Sequence, residues 1–363
     1  MRVGCLTRYD DLGASSRVRF SQYLAPMARL APDLLWQRQS LLDGAYLRRK
    51  YAGLTTTRDT LRCYARRAAD IASQPLPDLW WVEKELWPYA PAWLERTLLS
   101  RRPYALDLDD AIFHNYDLHP LALVRRALGH KIDRLMEGAA LVTAGNAYLA
   151  ARALAAGARR VETVPTVIDL DRYPLRTTTA SPDIGPIDIA WIGSPATVGY
   201  LQALARPLAQ LAAARRIRLV VIGGGSLRLP GVEVIARPWS ADTEAAEIAR
   251  CHIGVMPLPD SPWERGKCGY KLIQYMACGL PVVASPVGVN CEIVRPGHNG
   301  WLADDDAHWL RVLTALVEDA PSRLRLGRAG RETVERQYSV QAVAPRLAAL
   351  LRRAALPFSG RTD

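Results

Sequence analysis

The sequence predicts an α/β protein built from two doubly wound, Rossmann-like domains, and three observations carry that expectation. Short apolar runs bounded by turn residues alternate with longer stretches of helical period, the pattern of βαβ units and parallel sheets. The chain has 363 residues, too many for one ordinary core and too few for three. Residues 174–186 are rich in Pro, Thr and Ser and lack apolar periodicity, so they read as a linker. The expected division is a first domain over 1–173, the linker, a second domain over 187–340, and a C-terminal helix and tail over 341–363 with the first domain as candidate packing partner.

Strands are predicted in the first domain at 3–6, 79–82, 104–108, 141–143 and 161–164, with helical stretches such as 15–30 and 121–138 between them. The second series runs 187–192, 218–222, 232–235, 253–256 and 281–284, and residues 323–353 are helical by period. Two such sheets place a ligand at the carboxyl ends of their strands, in an expected cleft between the domains.

Composition narrows the function classes. Hydrophobic residues make up 49% and charged residues 23% of the chain, as in a globular protein, and no apolar run is long enough to span a bilayer. The N-terminus reads as a first strand without a signal peptide, which predicts a cytoplasmic protein, the inner face of the cytoplasmic membrane included. The six cysteines are scattered without the paired spacing of a zinc or redox site and are expected as reduced, mostly buried thiols. The net charge of +11 points to an anionic partner. Residues 1–170 hold 24 basic and 18 acidic side chains, so no single basic module stands out, and no nucleic-acid partner is expected. A dinucleotide-dependent dehydrogenase is disfavoured, because no GxGxxG follows the first strand.

The strongest local signal is Lys267-Cys-Gly-Tyr-Lys-Leu-Ile-Gln-Tyr-Met-Ala-Cys-Gly-Leu-Pro-Val-Val-Ala-Ser-Pro, followed by Val287-Gly-Val-Asn-Cys-Glu-Ile-Val. A glycine-containing loop leads here into a helix from about Tyr270, whose unpaired N–H groups and partial positive charge suit a diphosphate. Lys267 and Lys271 add full charges, and Gly269 permits close approach. On pattern alone, ligand binding and plain packing stand as equal alternatives. The wording, however, closely resembles the nucleotide-sugar-binding segment of family-4 (group 1) glycosyltransferases of the GT-B fold. The resemblance extends to Asp188-Ile-Ala-Trp-Ile-Gly-Ser, with Gly193 and Ser194 on the phosphate side, to Leu219-Val-Val-Ile-Gly-Gly-Gly, and to Arg237-Pro-Trp, with Trp239 on the base side. In the first half, Ser15-Ser-Arg-Val-Arg-Phe, Tyr104-Ala-Leu-Asp-Leu-Asp-Asp-Ala and Val164-Pro-Thr-Val-Ile-Asp resemble members with an acidic Asp-x-Asp-Asp-Ala turn.

The resemblance implies a retaining hexosyltransferase that draws on a nucleotide-sugar donor, with a glycan or a lipid-linked acceptor, as in polysaccharide biosynthesis. It also implies no cofactor and no metal. Donor binding falls to Gly193, Ser194, Trp239, Lys267, Gly269, Tyr270, Lys271 and Gln274. The family places two glutamates across this loop and helix where this chain has Gly266 and Gln274. Gln274 retains hydrogen-bonding capacity for a ribose hydroxyl, Gly266 has none, and Glu264 lies near in sequence. A catalytically inert sugar-nucleotide-binding partner in an assembly complex is therefore the alternative reading.

A second constellation is Asp107-Leu-Asp-Asp110 at the end of a strand. Clustered carboxylates serve a general base or orient an acceptor hydroxyl, so Asp109 and Asp110 are candidate catalytic residues beside Lys271. Helix capping is the plainer alternative. A third is the loop 7–19, where Gly13, Arg17 and Arg19 are acceptor-side candidates and solvated arginines the alternative; His114, just past the acidic turn, joins them, with a structural histidine as the more ordinary reading. The basic stretch 47–67 is a candidate for peripheral contact with an anionic membrane, with a solvated helix face as the alternative.

Overall fold

The computed structural model describes residues 1–54, 57–173, 175 and 185–356. The expected linker at 174–186 lies almost wholly outside the described residues. The chain packs as two units. The first comprises Met1–Thr166, the short segment Gly266–Cys268 and the chain from Val340; the second comprises Val167–Arg265 and Gly269–Ser339.

The first unit holds six parallel strands: β1 (Arg2–Tyr9), β2 (Leu35–Leu42), β3 (Leu79–Glu83), β4 (Tyr104–Leu108), β5 (Leu141–Ala144) and β6 (Val161–Thr163), in the order β2-β1-β3-β4-β5-β6. The central strands β3, β4 and β5 are buried throughout, as strands covered on both faces must be. Strand β2 is absent from the sequence expectation because it is an edge strand that exposes Leu35 and carries Gln and Arg among its apolar residues. The C-terminal helix Val340–Ala355 packs on the helix Gln22–Leu30 of this unit, and Arg352 pairs with Asp33.

The second unit holds β7 (Ile187–Ile192), β8 (Ile217–Ile222), β9 (Val234–Arg237), β10 (Ile253–Met256), β11 (Val282–Ala284) and β12 (Gly300–Leu302), in the order β12-β11-β10-β7-β8-β9. Alternation along β7 sends Ile187, Ile189 and Trp191 to one face and Ala190 and Ile192 to the other, each into its own apolar core. The helix Tyr270–Ala277 seals one face with Leu272, Ile273, Tyr275 and Met276, and the Tyr275 hydroxyl accepts from the Ile192 N–H at 2.9 Å.

Several expectations need correction. The first unit ends at Thr166, so residues 167–173 belong with the second: Ile168 bridges Ser339 and the Tyr173 hydroxyl donates to Glu244. The helix expected over 15–30 is a short turn, a π-helical turn Arg17–Ser21 and the helix Gln22–Leu30. That over 323–353 divides into Ala320–Gln337 and Val340–Ala355 where Ser339 takes up its bridge. In the basic stretch, Arg67 is buried and donates to the carbonyls of Thr7 and Gln39, while Arg66 donates to the Leu41 carbonyl and pairs with Asp43. These arginines are committed to the protein's own backbone and carboxylates. All six cysteines are free thiols, five buried and Cys291 exposed, and no described helix is long and apolar enough to cross a membrane.

One buried ion pair ties the first unit together across its sheet. Arg19 donates from Nε and Nη2 to the two carboxylate oxygens of Asp107 at 2.8 and 2.6 Å, and from Nη1 to the Val164 carbonyl at 2.9 Å. Removing one member of such a pair leaves the other charged in a dry interior. Arg19→Met is expected to lower unfolding stability by about 3–5 kcal/mol, measured by urea denaturation; a loss within error of zero would show that this pair does not hold the unit.

Candidate functional site

In the first sheet the strand order reverses between β1 and β3, so the connections leaving the carboxyl ends of these strands diverge there. The loop after β1 carries Ser15 and Ser16, and β3 ends at Glu83 and Lys84; the neighbouring β4 ends at Leu108, which delivers Asp109 and Asp110 to the same edge. Lys84 adopts a left-handed backbone (φ 65°), a conformation that adds of order 1–3 kcal/mol of strain in a non-glycine residue. The turn aims its ammonium at three groups: Asp109 Oδ1 at 2.9 Å, Asp110 Oδ2 at 3.3 Å and Ser15 Oγ at 3.1 Å. Lys267 Nζ lies 3.6 Å from the other oxygen of Asp110. Asp109 is buried, whereas the Asp110 side chain is 27% exposed, so Asp110 is the more open carboxylate of this turn.

Burial opposes the Asp109 charge, but the Lys84 ammonium and then the Arg19 guanidinium outweigh it and hold the carboxyl below its ordinary value. Burial also works against Lys84, yet Asp109, Asp110 and Glu83 raise its pKa. Glu83 is raised by burial while it accepts from Ser16 Oγ at 2.6 Å and the Arg8 N–H at 2.8 Å.

Gly266 to Cys268 pack in this first unit. A Cβ on Gly266 would stand 2.5 Å from the Ala111 Cβ and 2.7 Å from the Ala111 nitrogen, so the backbone passes too close for any side chain. Asn146 donates to the Lys267 carbonyl at 2.9 Å, and the Cys268 thiol donates to the Asp109 carbonyl at 3.0 Å. Lys267, expected beside the donor phosphate with Lys271, thus contributes its charge to the acid turn.

The remaining acceptor-side candidates divide. Gly13 starts the first helical turn, its carbonyl accepting from the Arg17 N–H at 2.9 Å. Arg17 is largely buried and donates to the Asp11 carbonyl at 3.2 Å. Arg19, expected at the acceptor or in solvent, is neither: its guanidinium is taken up by Asp107 and Val164. His114 is corrected in the same way, since Nδ1 meets Asp117 and Nε2 meets the Tyr148 hydroxyl, both at 2.8 Å.

In the second unit the strand order reverses between β7 and β10. Gly193 and Ser194 leave the carboxyl end of β7, with Ser194 exposed. The helix Tyr270–Ala277 follows β10, so it begins on that same edge. Gly269 caps it from the left-handed region (φ 65°), where a side chain would also strike Ile293 at 2.4 Å, and its carbonyl accepts from the N–H groups of Leu272 and Ile273. Lys271, partly exposed on the first turn, holds its ammonium 5.4 Å from the centre of the Trp191 ring.

Trp239, Tyr270 and Gln274 meet through two residues that the sequence reading missed. Glu244 accepts from Trp239 Nε1 at 2.7 Å and from the Tyr173 hydroxyl at 2.7 Å. Tyr173 in turn accepts from Gln274 Nε2 at 2.9 Å and hydrogen-bonds Tyr270; its phenol is driven well above the ordinary value by burial, by Tyr270 and by Glu244. Gln274 is 2% exposed, so its amide supports Tyr173 and is not presented to a ribose. Glu264, near Gly266 in sequence, is buried and accepts from the hydroxyls of Tyr200 and Ser261.

Comparison with known proteins bears on this second edge. Residues 187–319 match the family model described as glycosyl transferases group 1. This segment is similar to the group 1 glycosyl transferases. A stretch of 168 residues is 32% identical to the D-inositol 3-phosphate glycosyltransferase of Stackebrandtia nassauensis. That match takes in 39% of this chain and 37% of the relative, so the chain spans little more than a third of the curated protein. Among solved structures, sucrose-phosphate synthase from Thermosynechococcus elongatus superposes with a TM-score of 0.69 at 14% identity, over 97% of this chain and 98% of that one. HepE from Anabaena, solved in complex with UDP-glucose, gives 0.66 at 16% identity over 97% and 99%. At such identities the likeness shows the fold: α/β, of the GT-B type, with two parallel six-stranded sheets.

Two outcomes follow for the acid turn. A carboxyl with a depressed folded-state pKa contributes stability above its unfolded value of about 3.9 and loses it as pH falls through the folded value. Lys84→Met removes the nearest opposing charge, so urea unfolding at pH 7 is expected to show a loss of about 3–5 kcal/mol that shrinks at pH 4, where Asp109 of the variant takes up a proton. A loss equal at both pH values would contradict the pairing. Restoring a carboxylate with Gly266→Glu is expected to lower stability by about 1–3 kcal/mol through collision with Ala111, as a drop in thermal midpoint; an unchanged midpoint would contradict the close passage.

Proposed function

We propose that this protein is a glycosyltransferase whose second unit binds a nucleotide-sugar donor and whose first unit receives the acceptor hydroxyl at Asp110. The observation that carries the reading is the capped start of the helix Tyr270–Ala277, with Lys271 on its first turn, standing at the reversal of strand order in the segment that matches the glycosyl transferase family. The partial positive charge of the helix start and the Lys271 ammonium suit the negative charge that develops on a departing diphosphate. Gly193 and Ser194 supply a small, open loop on the same edge, and Trp239, held by Glu244, offers its indole face on the base side.

In the transfer step, the bond from the anomeric carbon to the diphosphate oxygen breaks and the acceptor oxygen takes its place. The acceptor proton ends on the diphosphate or on a carboxylate. Retention of configuration, a hexose donor, a glycan or lipid-linked acceptor and independence of metal are proposed with this reading. The relatives support it: HepE was solved with UDP-glucose, and the Stackebrandtia protein is named for sugar transfer.

A second reading, an inert donor-binding partner, draws support from Gly266, which has no room for the family's first glutamate, and from Gln274, which is turned inward. One set of measurements separates the two. Incubated with UDP-, GDP- and dTDP-sugars, the protein is expected to gain about 2.7 kcal/mol of stability from its true donor at 100 times Kd and to hydrolyse that donor slowly. Lys271→Ala is expected to cut this turnover about 10²–10³-fold with the melting curve of the free protein unchanged. Stabilisation without any hydrolysis would favour the inert partner, and no stabilisation by any sugar nucleotide would overturn both.

A further inference from the structure

The segment that follows the acid turn presents apolar side chains outward. The helix Ala122–Leu128 has no buried residue. It seats Val124 and Leu128 partly against the core of the first unit, and this leaves Leu118, Leu121 and Leu123 at 58%, 63% and 77% exposure. A surface helix normally turns its apolar residues to the core, and clustered exposed leucines mark an interaction surface.

The leucines are held in place by the local backbone. His119 Nδ1 accepts from the Leu121 N–H at 3.1 Å, and Arg125 Nη1 donates to the carbonyls of His119 and Pro120 at 2.6 and 2.9 Å. Tyr89, 57% exposed and itself in a left-handed backbone conformation, sets its ring edge-on to His119 with centroids 6.2 Å apart. An amphipathic ring thus flanks the apolar residues.

Charge selects the occupant. Residues 118–132 contain Arg125, Arg126, Lys131, His119 and His130 and no carboxylate. The nearest acids in sequence, Asp117 and Asp133, are both taken by Arg152. Lys131 is buried on Glu85 and Glu95, which leaves Arg125 and Arg126 as the exposed cations of the patch. Exposed leucines beside an aromatic ring and arginines, on a chain of net charge +11, match a bilayer surface rich in anionic lipid.

We propose that Leu118 to Arg126 form a docking surface for an anionic membrane, with Leu123 entering the headgroup boundary and Arg126, three residues on along the same helix face, meeting lipid phosphates. On the transfer reading this brings lipid-borne acceptors to the segment bearing Asp110, but vesicle binding is measured without sugar donor and stands or falls separately.

The test is co-sedimentation of the full chain with phosphatidylcholine vesicles containing 30 mol% phosphatidylglycerol, a composition of about one-third anionic lipid chosen for its surface charge, and with phosphatidylcholine alone. The expected result is roughly 10-fold stronger binding to the anionic vesicles, weakened by salt. Leu121→Glu with Leu123→Glu is expected to abolish it with an unchanged melting curve, and Arg126→Glu, on an exposed side chain, to reduce it should the double variant fold poorly. Equal binding to neutral vesicles, no binding at all, or undiminished binding by folded variants would each overturn the proposal. So would a concentration-dependent dimer in light scattering that Leu121→Glu dissolves, since the patch would then join two copies of the chain.

Discussion

A parallel sheet sends every loop that follows a strand to the same edge, and everything of chemical interest in this chain depends on that constraint. In each unit the strand order reverses once, between β1 and β3 in the first and between β7 and β10 in the second. The first reversal gathers Ser15, Lys84, Asp109 and Asp110 from three separate stretches of sequence. The second gathers Gly193, Ser194 and the start of the helix Tyr270–Ala277. Side chains far apart in sequence meet because β-strand direction, and not proximity along the chain, decides which of them share an edge.

At the first edge electrostatics prevails over every other force. Burial penalises the charge of Asp109, and the ammonium of Lys84 beside it is what outweighs that penalty. The left-handed backbone at Lys84 puts that ammonium in place. A strain of order 1–3 kcal/mol is small beside the several kcal/mol lost when a buried charge has no partner. The same balance governs Arg19 and Asp107, one layer deeper: their charge cancels within the unit and is withheld from any ligand.

The alternation of apolar runs made ten strands and the two-sheet plan legible, most plainly in β3, β4 and β5, which are buried on both faces and so near-continuously apolar. It did not reveal β2, an edge strand that carries Gln and Arg among its apolar residues, or β12, which is three residues long. Among site residues, Gly269 and Lys271 were legible from local wording, since a helix start is a local object. Lys84, Glu244 and Tyr173 were not: each acts through partners 25 or more residues away or, for Glu244, also through an indole that periodicity cannot orient. Arg19, His114 and Gln274 looked functional because polar residues near a motif invite that reading, and the fold instead satisfies them internally.

The central claim is that the second edge recognises a diphosphate. Calorimetric titration of a nucleoside diphosphate and of its parent nucleoside, into the native protein and into Lys271→Met, tests it most directly. The expected result is diphosphate binding at least about 10-fold tighter than nucleoside binding, equivalent to about 1.4 kcal/mol, with most of that difference lost in the variant. Equal affinity for the two ligands, or a difference untouched by the substitution, would contradict it.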